Sequence, residues 1–257
     1  MSNRFPARVH GFSLIELMVS LVAGMIVAGA VIAFTVSTVQ SSAEYVSATR
    51  LTQDLRSTID YVGRELRRAG YDQDYMSQLA QVVGSTEQSN FSPIFLSGDG
   101  ACIVYAYDRL PGTPGDVDPE NGEIRAVRRI VDDGVGVIEV ASTDAATTAI
   151  ACDDATADYT TYPPTCSGAW CALTDNRILD VTAFGITDTG SAVIEAAGGV
   201  AALPMRIREL KVEVRGRLVA DADVVRGVES RVRVRADCLR IGMTSADVSA
   251  CTSVPTP

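Results

Sequence analysis

The sequence predicts an α+β protein, a long N-terminal helix packed on an antiparallel β-sheet domain. Three observations predict it: an apolar run near the start, an amphipathic stripe that continues it, and short β-rich segments through the remainder. From Val9 to Ala43 the only charged residue is Glu16. Phe12 to Phe34 is long enough to cross about 30 Å of hydrocarbon as a helix. Further on, Leu51, Leu55, Ile59, Val62, Leu66 and Ala69 recur at steps of 4, 4, 3, 4 and 3, which places them on one helical stripe. Arg50, Asp54, Arg56, Asp60, Arg64 and Arg67 supply the polar faces, and Gly70 is the natural stop signal. The expected organisation is a short N-terminal segment carrying Arg4 and Arg8, a transmembrane helix at 12–34, its amphipathic continuation at 35–70, and a β-rich domain at 71–257.

Past Gly70 the period changes. Cys102 to Tyr107, Ile124 to Val131, Val135 to Val140, Ile178 to Ile186, Ile207 to Val219 and Val228 to Ala236 read as strands bounded by Gly, Pro and Asp clusters. Arg231-Val-Arg-Val-Arg235 alternates strictly, so Val232 and Val234 are expected on the core face. The arginines then lie on the other face, either opposite Glu209 and Glu213 of a neighbouring strand or as an exposed basic face with only screened contacts.

Two loops attract functional readings. Asp116, Asp118, Glu120 and Glu123 cluster near Gly122, and calcium loops need oxygen ligands at alternating positions with a glycine at a fixed place. The glycine falls one position late, so a solvated hairpin loop is the leading expectation, with calcium at Asp116, Asp118 and Glu120 as the alternative; no other metal or cofactor is expected. The stretch from Asp153 to Trp170, with Tyr159, Tyr162 and Trp170, reads either as an adhesive surface or as local packing.

Composition narrows the function. The 257 residues carry 22 Lys+Arg against 32 Asp+Glu, a net charge of −10, which does not invite nucleic acid. The one histidine, His10, belongs to the segment before the apolar run. If that segment is cleaved, the chain keeps no histidine as general base, zinc ligand or nucleophile partner, and no enzymatic role is expected. Six cysteines, Cys102, Cys152, Cys166, Cys171, Cys238 and Cys251, all lie beyond the apolar run. An even count in an oxidising compartment favours disulfides, for which fifteen connectivities are possible. The expected one joins sequence neighbours: Cys102 to Cys152, Cys166 to Cys171 and Cys238 to Cys251.

Glu16 needs the most explanation. An ionisable group in mid-bilayer costs roughly 2.5 to 3.5 kcal/mol on insertion scales, which makes it a functional residue by default. A cation from another molecule would relieve that cost. Two blander readings stay open: a cleaved secretory signal with a small-residue site near Ala28-Gly-Ala30, and a plain anchor whose glutamate snorkels to the headgroups. Arg4 and Arg8 before the span, against Glu44 after it, orient the amino terminus to the cytoplasm and the domain away from it.

Gly11 followed by Phe12-Ser13-Leu14-Ile15-Glu16-Leu17-Met18-Val19-Ser20 resembles the class III signal of type IV prepilins and of the pseudopilins of type II secretion. The resemblance implies a pilin-like fold, cleavage between Gly11 and Phe12 by prepilin peptidase in the inner membrane, and methylation of the new amino terminus. It also implies that Glu16 pairs with a neighbouring subunit's amine during assembly. Asp54 to Tyr71, ending in Arg67-Arg-Ala-Gly-Tyr71, is similar to the PilW-like minor pilins and, more loosely, to a minor pseudopilin. This implies a low-abundance subunit, with other minor pilins and the major pilin as partners, in a filament that leaves the cell surface. A minor pseudopilin or a filament-borne adhesin is the alternative. The absence of proline from the helix departs from the major pilins.

Overall fold

A computed structural model describes residues 13–74, 89–110, 112–190, 192–194, 205–239, 251–252 and 255. Helix α1 (Leu14–Arg68) precedes strands β1 (Ile94–Leu96), β2 (Cys102–Ala106), β3 (Ile124–Asp132), β4 (Val135–Ser142) and β5 (Trp170–Ala172). They are followed by β6 (Leu179–Asp188), β7 (Ala192–Ile194), β8 (Met205–Ile207), β9 (Glu209–Leu218), β10 (Val225–Arg233) and β11 (Cys238–Leu239). The chain divides into two compact units, the first ending at Ser47 and the second beginning at Ala48.

In the first unit α1 is long and apolar enough to cross a membrane. Its large side chains are exposed on all sides, from 50% at Val36 to 77% at Leu14, as expected of a segment whose solvent is lipid. Hydroxyl side chains there bond back to their own helix: Ser20 to the Glu16 carbonyl, Thr35 to Val31, Thr38 to Phe34 and Ser42 to Thr38, at 2.6 to 2.9 Å. Each of these four hydroxyl hydrogens is satisfied without water, as hydrocarbon demands of Ser20.

In the second unit the predicted stripe is the core of the domain. Leu51, Leu55, Ile59, Val62, Leu66 and Ala69 are all buried, in one cluster with Ile103, Tyr105, Val127 and Ile138 of β2, β3 and β4, and with Val181, Phe184, Val212, Val214 and Val232 of β6, β9 and β10. Gly70 ends the helix with φ +78°, and its N–H bonds the Ala106 carbonyl at 2.8 Å, so the chain leaves α1 directly onto the end of β2.

Among the described residues three antiparallel sheets form where a single one is expected: β1-β2-β3-β4-β5, β10-β9-β6 and β11-β8-β7. The five-stranded sheet is buried on both faces. Ile103, Tyr105, Val127 and Ile138 point to the helix-containing cluster, while Cys102, Val104, Ala126, Ala141 and Trp170 form a second cluster on the far side with Phe91 and Ile150. That two-sided burial explains the unbroken apolar reading of β2.

The expected strand from Ile207 to Val219 breaks at Arg208, whose buried guanidinium bonds the Ser92 carbonyl at 2.6 Å and the Ala236 carbonyl at 2.9 Å. The expected Val228 to Ala236 strand begins earlier and stops at Arg233. Val232 and Val234 are fully buried, as the alternation predicts. Opposite them the charge pairing differs from expectation. Glu209 faces Arg233 and lies 3.9 Å from Arg231, but Glu213 faces Glu229 and pairs instead with Lys211 and Arg215 of its own strand. The register, not composition, decides which charges meet.

At Gly136 strand β4 crosses close over β6: its N–H bonds Asp180 Oδ1 at 2.8 Å, and Arg129 Nε bonds the Val181 carbonyl at 2.6 Å beside it. A Cβ at position 136 would overlap the Val181 carbonyl. Gly136→Ala is therefore expected to lower the unfolding free energy by about 1–3 kcal/mol, the usual range for overpacking, as measured by denaturant unfolding of the purified protein.

Candidate assembly site

Ser13 and Glu16 stand at the start of α1 with the Ser-x-x-Glu spacing of a capping box. Glu16 Oε2 accepts the Ser13 N–H at 3.1 Å, which satisfies one orphan donor of the first turn and sets the carboxylate at the positive end of the helix dipole. That single bond orients the carboxylate and brings it no countercharge. Among the described residues no cation pairs with it. Gly11 and Phe12, the expected cleavage pair, lie outside the described residues, as does His10.

The other singled-out residues serve the domain. The structure joins Cys102 to Cys152, Cys166 to Cys171 and Cys238 to Cys251, the three sequence-neighbour pairs. The acidic stretch is the connection between the antiparallel strands β2 and β3, solvated at Asp116 and Glu120 but folded over the buried Glu123. Pro119–Asn121 forms a short 3-10 turn, and Asp118 Oδ2 accepts the Thr113 N–H. Glu123 is fully buried and accepts the N–H groups of Arg109 at 3.0 Å and Asp118 at 2.6 Å. Burial pushes its carboxyl up from the usual range, and those two donors pull it back. Asp116 and Glu120 are exposed, and among the described residues no three acidic, His or Cys side chains converge to hold a metal ion.

In the stretch from Asp153 to Trp170 most residues are exposed, while Trp170 and the half-buried Tyr159 pack against the domain. Trp170 is buried, and the Arg128 guanidinium lies 3.9 Å from its ring centroid. Arg128 Nε and Nη2 bond Glu139 Oε2 at 2.8 and 2.7 Å; Nη1 bonds the carbonyls of Cys152 and Asp154, and Nη2 that of Ala155. Glu139 Oε1 accepts the Ala157 N–H at 2.8 Å and the Tyr159 hydroxyl at 2.9 Å. Burial first, and the Glu139 carboxylate second, push the Tyr159 hydroxyl well up from the usual phenol range. Of the three aromatic residues only Tyr162 is exposed; its hydroxyl bonds Asp175 and its ring is covered by Arg177.

Sequence reading missed the Arg128–Glu139 pair, although a signal for it exists. Asp133 and Gly134 carry φ +45° and +83°, the positive values of a two-residue hairpin turn. Counting outward from that turn pairs Asp132 with Val135 and, four steps on, Arg128 with Glu139.

An apolar helix led by a capped glutamate and followed by a disulfide-bridged antiparallel domain defines a type IV prepilin-like protein. A family profile for the prokaryotic N-terminal methylation motif matches residues 6–32, across Gly11, Phe12 and Glu16. A second profile, described as prepilin peptidase-dependent protein B, matches residues 44–234, and the chain belongs to that family. It is thus a type IV pilin-like protein processed by prepilin peptidase. No curated protein and no solved structure matches the chain.

Removing one partner of the buried pair leaves the other charge stranded. Arg128→Ala is expected to destabilise the domain by about 3–5 kcal/mol, read from denaturant unfolding; a loss below about 1 kcal/mol would show that the network contributes little.

Proposed function

We propose that the chain is a minor subunit of a type IV pilus, of the PilW-like kind, that enters or primes the filament after leader cleavage and N-methylation. The observation that carries this reading is Glu16: the sole charge between Val9 and Ala43, oriented by its own helix and without a cation among the described residues. In lipid a carboxylate and an ammonium that both lack water gain far more from meeting than an exposed pair, which is worth about 0 to 1 kcal/mol. The amine exposed by cleavage between Gly11 and Phe12 on a neighbouring subunit is the proposed partner.

That pairing would set the stacking. Phe12 and Glu16 are four residues apart, about 6 Å of helix rise, so a subunit whose amine meets this carboxylate is displaced along the axis. An axial offset is a head-to-tail contact that does not close, and such contacts build filaments. In this reading residues 1–11 are the leader, 12–34 the inner-membrane span, 35–70 the continuing helix, and 71–257 the domain outside the cytoplasm. Other minor pilins and the major pilin are the partners, and the protein has no catalytic role.

Two measurements test this. Intact mass spectrometry of the purified protein is expected to show a chain beginning at a methylated Phe12, and Gly11→Ala is expected to retain the leader; a mature chain starting elsewhere refutes the processing step. Glu16→Ala is expected to be cleaved normally yet to fall at least tenfold in sheared filaments, and unchanged recovery refutes the pairing.

A further inference from the structure

A cleft of about 480 Å³ opens in the second unit where α1 ends, lined by Arg67, Arg68, Tyr71, Arg109, Leu110 and Arg235 among others. Its walls concentrate positive charge on a chain of net charge −10. Arg67 and Arg235 are exposed and make neither an ion pair nor a hydrogen bond among the described residues. Arg109 reaches only the carbonyls of Asn121 and Gly122, and Arg68 is 3.6 Å from Glu65. The single carboxylate in the lining, Asp108, is buried and accepts the N–H groups of Gln73 and Gly115. Just behind the wall, Arg208 is also bound by carbonyls and not by a carboxylate. Four guanidiniums around one space repel one another and gain when an anion enters. Tyr71 and Leu110, 54% and 72% exposed, add apolar surface at the mouth.

We propose that this cleft binds an acidic polypeptide segment, whose carboxylates are taken in the forks of Arg67 and Arg235 while its backbone lies on Tyr71 and Leu110. Three features favour this occupant. The volume is that of a site for a few residues. The guanidinium fork matches a planar carboxylate in two parallel bonds. A nucleic acid would carry its phosphates beyond the cleft over a chain of net charge −10, whereas a short segment feels only charges within a Debye length of about 8 Å. The inference rests on the filament reading only for the source of the segment, a neighbouring subunit.

The test uses the full-length protein in detergent and fluorescence anisotropy of a labelled hexapeptide containing three glutamates. The glutamate peptide is expected to bind saturably and to weaken as salt rises, while the same peptide with glutamines is not. Arg67→Ala/Arg235→Ala is expected to lower affinity at least tenfold; Arg226→Ala, exposed elsewhere, is expected to leave it unchanged. Because both replaced side chains are exposed, unfolding curves are expected to coincide with wild type; if they shift, Arg67→Lys/Arg235→Lys takes their place, with a smaller loss expected because charge remains and the fork does not. Equal binding of the glutamine peptide, undiminished binding by the substituted protein, or tighter binding of a single-stranded oligonucleotide through the same arginines would overturn the proposal. Leader cleavage and Glu16-dependent incorporation are separate readouts, so failure here leaves the filament reading to its own tests.

Discussion

The second unit depends on one buried ion pair. Arg128 and Glu139 face each other across the β3–β4 hairpin on the side of the five-stranded sheet away from α1, where neither charge reaches water. Two charges in such a place are tolerated only when every remaining donor and acceptor is used. Here the backbone of the Cys152 to Tyr159 stretch uses them. That stretch has little apolar content to bury, and it is held because three of its carbonyls, one N–H and one phenol complete the shells of the pair. The Cys102–Cys152 bridge fixes the same stretch covalently to β2. Removing the pair would therefore loosen a whole layer.

Helix α1 obeys two different rules along its length. From Leu51 to Ala69 it presents one apolar stripe to a protein core, and from Leu14 to Phe34 it is apolar all round. Burial in the second unit fixes the rotation of the helix through Leu51, Leu55, Ile59, Val62 and Leu66. Glu65, on the edge of that stripe, adds a polar lock: its carboxylate accepts the Tyr107 hydroxyl at 3.1 Å and pairs with Arg125 at 3.3 Å.

What could be read from the sequence follows the length of each pattern. The stripe of α1 repeats over five turns, and its extent and stop at Gly70 were legible to within two residues. Strands β3, β4, β6, β9 and β10 each run for eight residues or more, enough for alternation to show. β1, β5, β7 and β8 have three residues each, too few for any period, and they exist because neighbouring strands offer an edge. Arg208 read as one more polar residue in an alternating run; its burial requires Ser92 and Ala236, both distant in sequence. The acidic stretch read as solvated because Glu123 and Asp108 gave no sign that loop N–H groups would fold over them. In the N-terminal segment Glu16 was conspicuous by its solitude, while the bond from the Ser13 N–H emerged only with the helix start.

The cysteine pattern carries a consequence for biogenesis. The three bridges pair first with second, third with fourth and fifth with sixth, closing segments of 50, 5 and 13 residues that neither nest nor cross. If the chain meets an oxidising compartment from its N-terminal end onward, each thiol finds its mate before the next couple arrives, and oxidation in order of arrival would yield the native set without shuffling.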